Sequence, residues 1–251
     1  MAVTSAGSPA MRASTRSLRL VAVTHGRPTS ANRAAIIRLV DAVASSRPAL
    51  DVSIAFIDAR AREPIELVAD RDEGAVIVPL VLSAGFHVRT GLELGIAHSR
   101  SHAGLAAGLG PDDRIVDVLA RRLDRTGLDD DDVVVLAAAG SNDPRAVREC
   151  FETARRLGLR LGRPVTVGFI AAGLPRLRDA IEMIRELHRG RRVVVGPYLL
   201  APGQFYDAIL TSGADVVADA LLTPDASAPA ELVDLVLARF DETRPDTLPG
   251  A

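Results

Sequence analysis

The sequence predicts an α/β protein made of two tandem doubly wound lobes, each a parallel sheet between helices. Two observations carry this. Short runs rich in β-branched residues alternate with longer amphipathic stretches along the chain, and the two halves match segment by segment. Apolar runs of that length, separated by helices, are what parallel strands covered on both faces require.

In the first half the strand-like runs are 18–23 (LRLVAV), 52–57 (VSIAFI) and 75–82 (AVIVPLVL). In the second they are 133–139 (VVVLAAA), 165–170 (VTVGFI) and 193–200 (VVVGPYLL). Apolar residues at helical spacing predict helices over 30–46, 144–161 and 175–188. The second of these follows Ser141, Asn142 and Asp143, with Pro144 at the first helical position, where its missing N–H is not needed. Each half closes with a weaker strand, around 104–107 and 215–218, and a helix, 112–126 and 228–240. The duplication is direct. VTHG (23–26) lies over AAAG (137–140), Phe56 over Phe169 within DVSIAFID and PVTVGFIA, and Gly85 over Gly203 within VIVPLVLSAG and VVVGPYLLAPG. The division expected is a disordered leader (1–17), an N-terminal lobe (18–128), a C-terminal lobe (129–241) and a flexible tail (242–251). The acidic run Asp129–Asp132 reads as a solvated linker between the lobes.

Composition narrows the function. The 251 residues are 48% hydrophobic and 25% charged, which suits a globular core. The net charge of -2 gives no reason to expect nucleic acid or an anionic membrane as partner. There is no lysine, so all 30 basic residues are arginine. That excludes a Walker-type phosphate loop, a Schiff-base lysine and a lysine general base. Aromatics are 3% of the chain, with no tryptophan, which argues against base-stacking platforms. The single Cys150 lies in a helical pattern and reads as a small core residue. A lone thiol, no apolar segment before Leu18 and no apolar run near roughly 20 residues together suggest a soluble cytoplasmic protein.

The polar residues that follow the strands of a doubly wound lobe are where ligands bind. In the first half these are His25 after the first strand, Asp58 after the second, and His87 after the third, just past Ser83-Ala84-Gly85-Phe86. Two imidazoles and a carboxylate, with positions left open, suit a divalent first-row metal such as Fe2+ or Co2+. The matching positions of the second half, Ala139, Ala171 and Phe205, cannot ligate. Taken singly, each of the three is as readily a hydrogen-bonded or surface residue, and their joint placement is the argument. His98 and His102 share a helix face near its end and read as solvated. His188, beside Arg189 and Gly190, reads as a helix-end residue complementing the dipole.

HG after the first strand, Phe-Ile-Asp at the end of the second and PLVLSAGFHV after the third resemble the sirohydrochlorin chelatases of the CbiX/SirB type, in their long tandem form. AAAGSNDPRA and YLLAPGQF resemble the second-half motifs of that form, so the likeness covers residues 18 to about 220. The resemblance implies insertion of Fe2+ or Co2+ into sirohydrochlorin or a related tetrapyrrole, in siroheme or cobalamin biosynthesis. The metal is then a substrate, and no organic cofactor is expected. His25 and His87 would hold and deliver the ion, with Asp58 assisting. Three departures stand out: Arg27-Pro28 follows the first HG where the family reads HGS, Gly91 and Glu93 stand where an aspartate and a proline are usual after His87, and Asp58 stands where a longer glutamate is common. The alternative is a chelatase-like protein that carries a metal or tetrapyrrole without turnover.

Sirohydrochlorin is a polycarboxylate, so cationic donors belong in its pocket, and arginine offers a permanently charged fork. Arg27 and Arg89, next to the two histidines, are the candidates, with Arg33 a weaker third. Backbone N–H groups at the helix starts after Gly26 and Ser141 are further candidates. Ser83, Ala84 and Gly85 are small enough to let a flat macrocycle approach. A single chain supplies both lobes, so a monomer or weak homodimer is expected.

Overall fold

The structure, a computed structural model, describes residues 19–25, 28–57, 75–83 and 103–243. The leader and the end of the tail lie outside them. In chain order the elements are β1 (Arg19–His25), α1 (Ser30–Ser46), β2 (Asp51–Ile57), β3 (Ala75–Pro79) and β4 (Gly104–Leu105). They continue with α2 (Asp113–Asp124), β5 (Val133–Gly140), α3 (Pro144–Leu161), β6 (Val165–Ala172) and α4 (Leu177–Leu187). The last are β7 (Val193–Tyr198), α5 (Gln204–Leu210), β8 (Val216–Val217) and α6 (Ala230–Thr243). Helix α6 thus runs two residues into the stretch expected as a tail.

The strands form two four-stranded parallel sheets of the same topology, β2-β1-β3-β4 and β6-β5-β7-β8. This is the duplicated α/β architecture that the alternating pattern predicts. Helices α1 and α3 begin where the sequence signals place them. Thr29 caps α1 by accepting from the Asn32 N–H, and Asp143 caps α3 by accepting from the Arg145 N–H, with Pro144 in the first turn. Gly162, at φ 68°, closes α3 in the left-handed conformation that glycine adopts without strain.

Strand side chains alternate between the two faces of a sheet. On one face, Leu20, Ala22, Val76 and Val78 of the first sheet and Val134, Leu136 and Ala138 of the second belong to a single apolar cluster. Leu39, Leu119, Leu157 and Leu235 join it from four different helices, so one core runs through both halves. On the opposite face of the second sheet, Val135, Ala137, Val193 and Val195 pack with Leu177, Ile181 and Ile184 of α4.

The last helix of each half crosses to the other. Helix α2 packs on β7 and α3, while α6 packs on β3 and α1. Ile115, Leu119 and Leu123 of α2 are fully or almost fully buried. Burying each contributes about 1.5–3 kcal/mol. Exposed pairs such as Arg160–Asp117, at 3.0 Å, contribute at most about 1 kcal/mol. Apolar burial therefore seats the crossed helix, and the ion pairs trim its edge.

The acidic run is only partly the solvated linker that the sequence suggests. Asp132 is buried, and its carboxylate receives Arg192 through two bonds of 2.5 and 2.9 Å and the Asp129 N–H at 2.8 Å. Arg192 precedes β7, so this pair fastens the entry of β5 to the entry of its neighbour. The hydrogen bonds from Arg192 hold the Asp132 carboxyl below the usual range, against the upward push of burial.

Candidate functional site

The carboxyl edge of the first sheet is set by the register of its strands. Within β1 and β2, His25 stands opposite Ile57, the residue before Asp58. On the other side of β1, Val23 stands opposite Pro79 of β3, and the Leu80 N–H donates to the Val23 carbonyl at 2.7 Å. The main-chain positions of His25 and Ile57 and the exit of β3 are therefore neighbours on one edge. The His25 side chain, Asp58, His87, Arg27, Arg89, Ala84 and Gly85 lie outside the described residues, as do His98 and His102. Ser83 is described, and is half-buried at the exit of β3.

Arg33, in the first turn of α1, places its guanidinium 4.2 Å from the centroid of the Phe56 ring. An exposed arginine stacked on an aromatic face keeps its charge and loses much of its conformational freedom. It stands one helical turn beyond the cap at Thr29, on the same edge as the strand exits. Asn32, its neighbour, reaches across to the second half and donates from Nδ2 to the Pro202 carbonyl at 2.9 Å.

The second half has the same edge without the ligands. Gly140 ends β5 at φ 90°, and a Cβ there would overlap the Ala172 carbonyl, so the strand can turn this closely beside β6 only with glycine. Ala139 and Ala171 sit in the paired strands, and Phe205 lies half-exposed on α5. Among the described residues there is no group of three or more His, Cys, Asp or Glu placed to hold a metal ion. The helix start after Ser141, expected as a receiver of carboxylates, is already served by its own residues. The Asp143 N–H donates to Ser141 Oγ at 3.0 Å, and the Asp143 carboxylate accepts from the Arg145 N–H at 2.9 Å. An acidic cap in that position repels a carboxylate ligand.

Three further contacts between the halves were likewise not anticipated from the sequence. Tyr198, at the end of β7, is buried, and its hydroxyl donates to the Leu82 carbonyl at 2.9 Å. Burial raises its phenol well above the ordinary value, so the hydroxyl keeps its proton and remains a donor. Cys150, on α3, is buried as expected of a core thiol. Burial pushes its thiol up to about 11, partly offset by the Ser83 hydroxyl, which places the second half's α3 against the exit of β3. Arg122 of α2 and Arg239 of α6 make the third contact, each hydrogen-bonding main-chain carbonyls of the other half. A signal for Tyr198 was present, since a tyrosine inside an apolar strand needs a partner for its hydroxyl.

Comparison with known proteins bears on both halves. The chain matches the CbiX family over residues 19–126 and again over 133–242. A sirohydrochlorin ferrochelatase of Priestia megaterium is 35% identical over 97 residues, which are 38% of this chain and 36% of that protein. The aligned stretch thus spans little more than a third of that relative. Among solved structures, SirB from Bacillus subtilis with Fe3+ superposes with a TM-score of 0.71 at 17% identity, covering 92% of this chain and 96% of that one. SirB from Bacillus subtilis subspecies spizizenii in complex with cobalt gives a TM-score of 0.68 at 19% identity, with coverage of 92% and 96%. These likenesses extend the shared fold over nearly the whole of each chain. With both halves matched in order, the chain belongs to the CbiX family, as a tandem pair of CbiX units.

Proposed function

We propose that the chain is a sirohydrochlorin chelatase, inserting Fe2+ or Co2+ into sirohydrochlorin or a related tetrapyrrole in siroheme or cobalamin biosynthesis. The observation that carries the reading is the double family match; it is supported by the sequence, where His25, Asp58 and His87 follow the strands of the first half and Ala139, Ala171 and Phe205 take their places in the second. In this reading His25 and His87 bind the ion and Asp58 assists. An open coordination sphere suits the task, because an ion held in a closed four-ligand cage is retained.

Insertion forms bonds from the metal to the ring nitrogens and releases two pyrrole N–H protons. A neutral imidazole, with an ordinary pKa of about 6.5, can accept a proton near neutral pH. One of the two histidines therefore takes up one of these protons once the ion has left it, and the other proton passes to solvent. Arg27 and Arg89 receive substrate carboxylates, and Arg33, already held over Phe56, offers a third cation at the same edge. Ser83 and Gly85 leave room for the macrocycle. Both lobes come from one chain, so a monomer suffices.

Arg27-Pro28 and Gly91 depart from the family pattern and favour a second reading, a carrier that binds the metal or tetrapyrrole without turnover. An anaerobic absorbance assay of sirohydrochlorin with Fe2+ or Co2+ separates the two. A chelatase accelerates the spectral change of metallation well above the protein-free rate. A carrier binds either ligand tightly and leaves the rate unchanged.

A further inference from the structure

The two halves secure the exits of their third strands differently. In the second half the Leu221 N–H donates to the Leu199 carbonyl at 3.1 Å, and the next residue repeats the pattern, Leu222 N–H to Leu200 carbonyl at 2.8 Å. In the first half the Leu109 N–H donates to the Val81 carbonyl at 2.8 Å, which makes Val81 the counterpart of Leu199. The next bond of the ladder is replaced. Among the described residues, the Leu82 carbonyl takes its hydrogen bond from the Tyr198 hydroxyl of the other half, at 2.9 Å.

Gly110, the counterpart of Leu222, makes this exchange possible. A Cβ at Gly110 would overlap both the Tyr198 hydroxyl and the Leu82 carbonyl oxygen, so any larger residue would displace the phenol. The residue matching Tyr198 in the first half is Leu80, whose side chain has no hydrogen-bond donor. The device is therefore one-sided, and it serves the half whose third strand leads to a histidine. A main-chain bond within one half persists as long as that half is folded. A side-chain bond from the other half persists only while the halves stay docked.

We propose that Tyr198 is a positioning residue for the metal site of the first half: its hydroxyl fixes the Leu82 carbonyl, the point from which the chain sets out towards His87. The inference rests on the reading of His87 as a metal ligand. The ligand-free half then contributes to the site through this one bond, which lasts only while the two halves stay docked.

The test is a Co2+ titration of the purified full chain, followed by visible absorption, with wild type, Tyr198→Phe and His87→Ala side by side. Thermal unfolding of each variant is recorded, and turnover is measured with sirohydrochlorin. Tyr198→Phe should unfold cooperatively, bind Co2+ about three- to tenfold more weakly, as loss of one hydrogen bond implies, and show an altered visible Co2+ spectrum. Its kcat should fall while KM for the tetrapyrrole stays at the wild-type value, and the altered Co2+ spectrum, recorded well below the thermal transition, is the signature that a smaller folded fraction would not produce. Should Tyr198→Phe lose its cooperative transition, Gly110→Ala, which wedges the same two atoms apart, is measured in its place with the same expectation. Wild-type affinity, spectrum and kcat in Tyr198→Phe, with Co2+ binding lost in His87→Ala, overturn the positioning role and leave the metal site standing. Undiminished Co2+ binding in His87→Ala, or none in the wild type, overturns the metal site and the positioning role together.

Discussion

Arg122 and Arg239 hold equivalent positions on the two crossed helices and make equivalent bonds. Arg122 of α2 donates from Nη2 to the Leu221 carbonyl at 2.9 Å, and Arg239 of α6 donates from Nη2 to the Leu109 carbonyl at 3.3 Å. Leu109 and Leu221 are themselves counterparts, the residues that pin the third-strand exits. Arg122 is buried, and burial lowers its pKa from the free value, against the opposing pull of the Asp219 carboxylate 3.8 Å away. Replacement of Arg122 by alanine should destabilise the fold by about 1–3 kcal/mol. Because each helix seals the other half, the loss should appear as a shift of one cooperative transition in urea. Two separated transitions would show that the halves unfold independently.

The Asp132–Arg192 pair predicts a pH dependence. The Asp132 carboxyl titrates below the 3.8 of a free aspartate because Arg192 bonds its ionised form. Its stabilising contribution is therefore complete above about pH 4 and is lost as pH falls through the lower folded-state value. Asp132→Asn should lower stability at pH 7 by about 1–3 kcal/mol, and the difference from wild type should shrink as the medium is acidified below pH 4. Denaturation midpoints across pH 2 to 7 measure this, and a difference that stays constant would contradict it.

Cys150 should be chemically silent in the folded protein. Its thiol is buried and titrates at about 11, so it is neither accessible nor ionised at pH 8. An aromatic disulfide reagent should react with it only as fast as the protein opens, and promptly in denaturant. Fast stoichiometric reaction under native conditions would mean that α3 does not stay docked against the exit of β3.

The proposed substrate contacts separate binding from chemistry. Arg27→Ala and Arg89→Ala should each raise KM for sirohydrochlorin about tenfold with little change in kcat, as expected for carboxylate contacts kept from ground state to transition state. His87→Ala should abolish metallation while leaving the thermal transition in place. Steady-state kinetics under anaerobic conditions distinguish these outcomes, and an unchanged KM in both arginine variants would remove them from the pocket.

Much of the fold was legible because the apolar pattern is local. The run VVVLAAA needs only its own residues to read as a buried strand, and Asp143-Pro144 marks the start of α3 to the residue. Helix α5, Gln204–Leu210, was missed because seven residues are too few to display a helical period. The crossing of α2 and α6 was hidden for another reason. Ile115 and Leu119 show that a face is buried, but nothing in a periodic pattern says which sheet covers it. Tyr198 belongs to the same class, since a sequence shows that a phenol needs an acceptor and not that the acceptor is Leu82. For the site, the sequence places His25 and Asp58 after strands; His25 is the last residue of β1, opposite Ile57, and Asp58 lies outside the described residues. The duplication sharpened that reading by supplying Ala139 and Ala171 as a ligand-free comparison within the same chain.

One metal ion should bind per chain, with all of its side-chain ligands drawn from the first half. Equilibrium dialysis of the full chain against Co2+, with metal and protein quantified, tests it directly. One Co2+ per wild-type chain is predicted, with none retained by the His25→Ala/His87→Ala double variant. Two ions per chain, or one that survives the loss of both histidines, would contradict it.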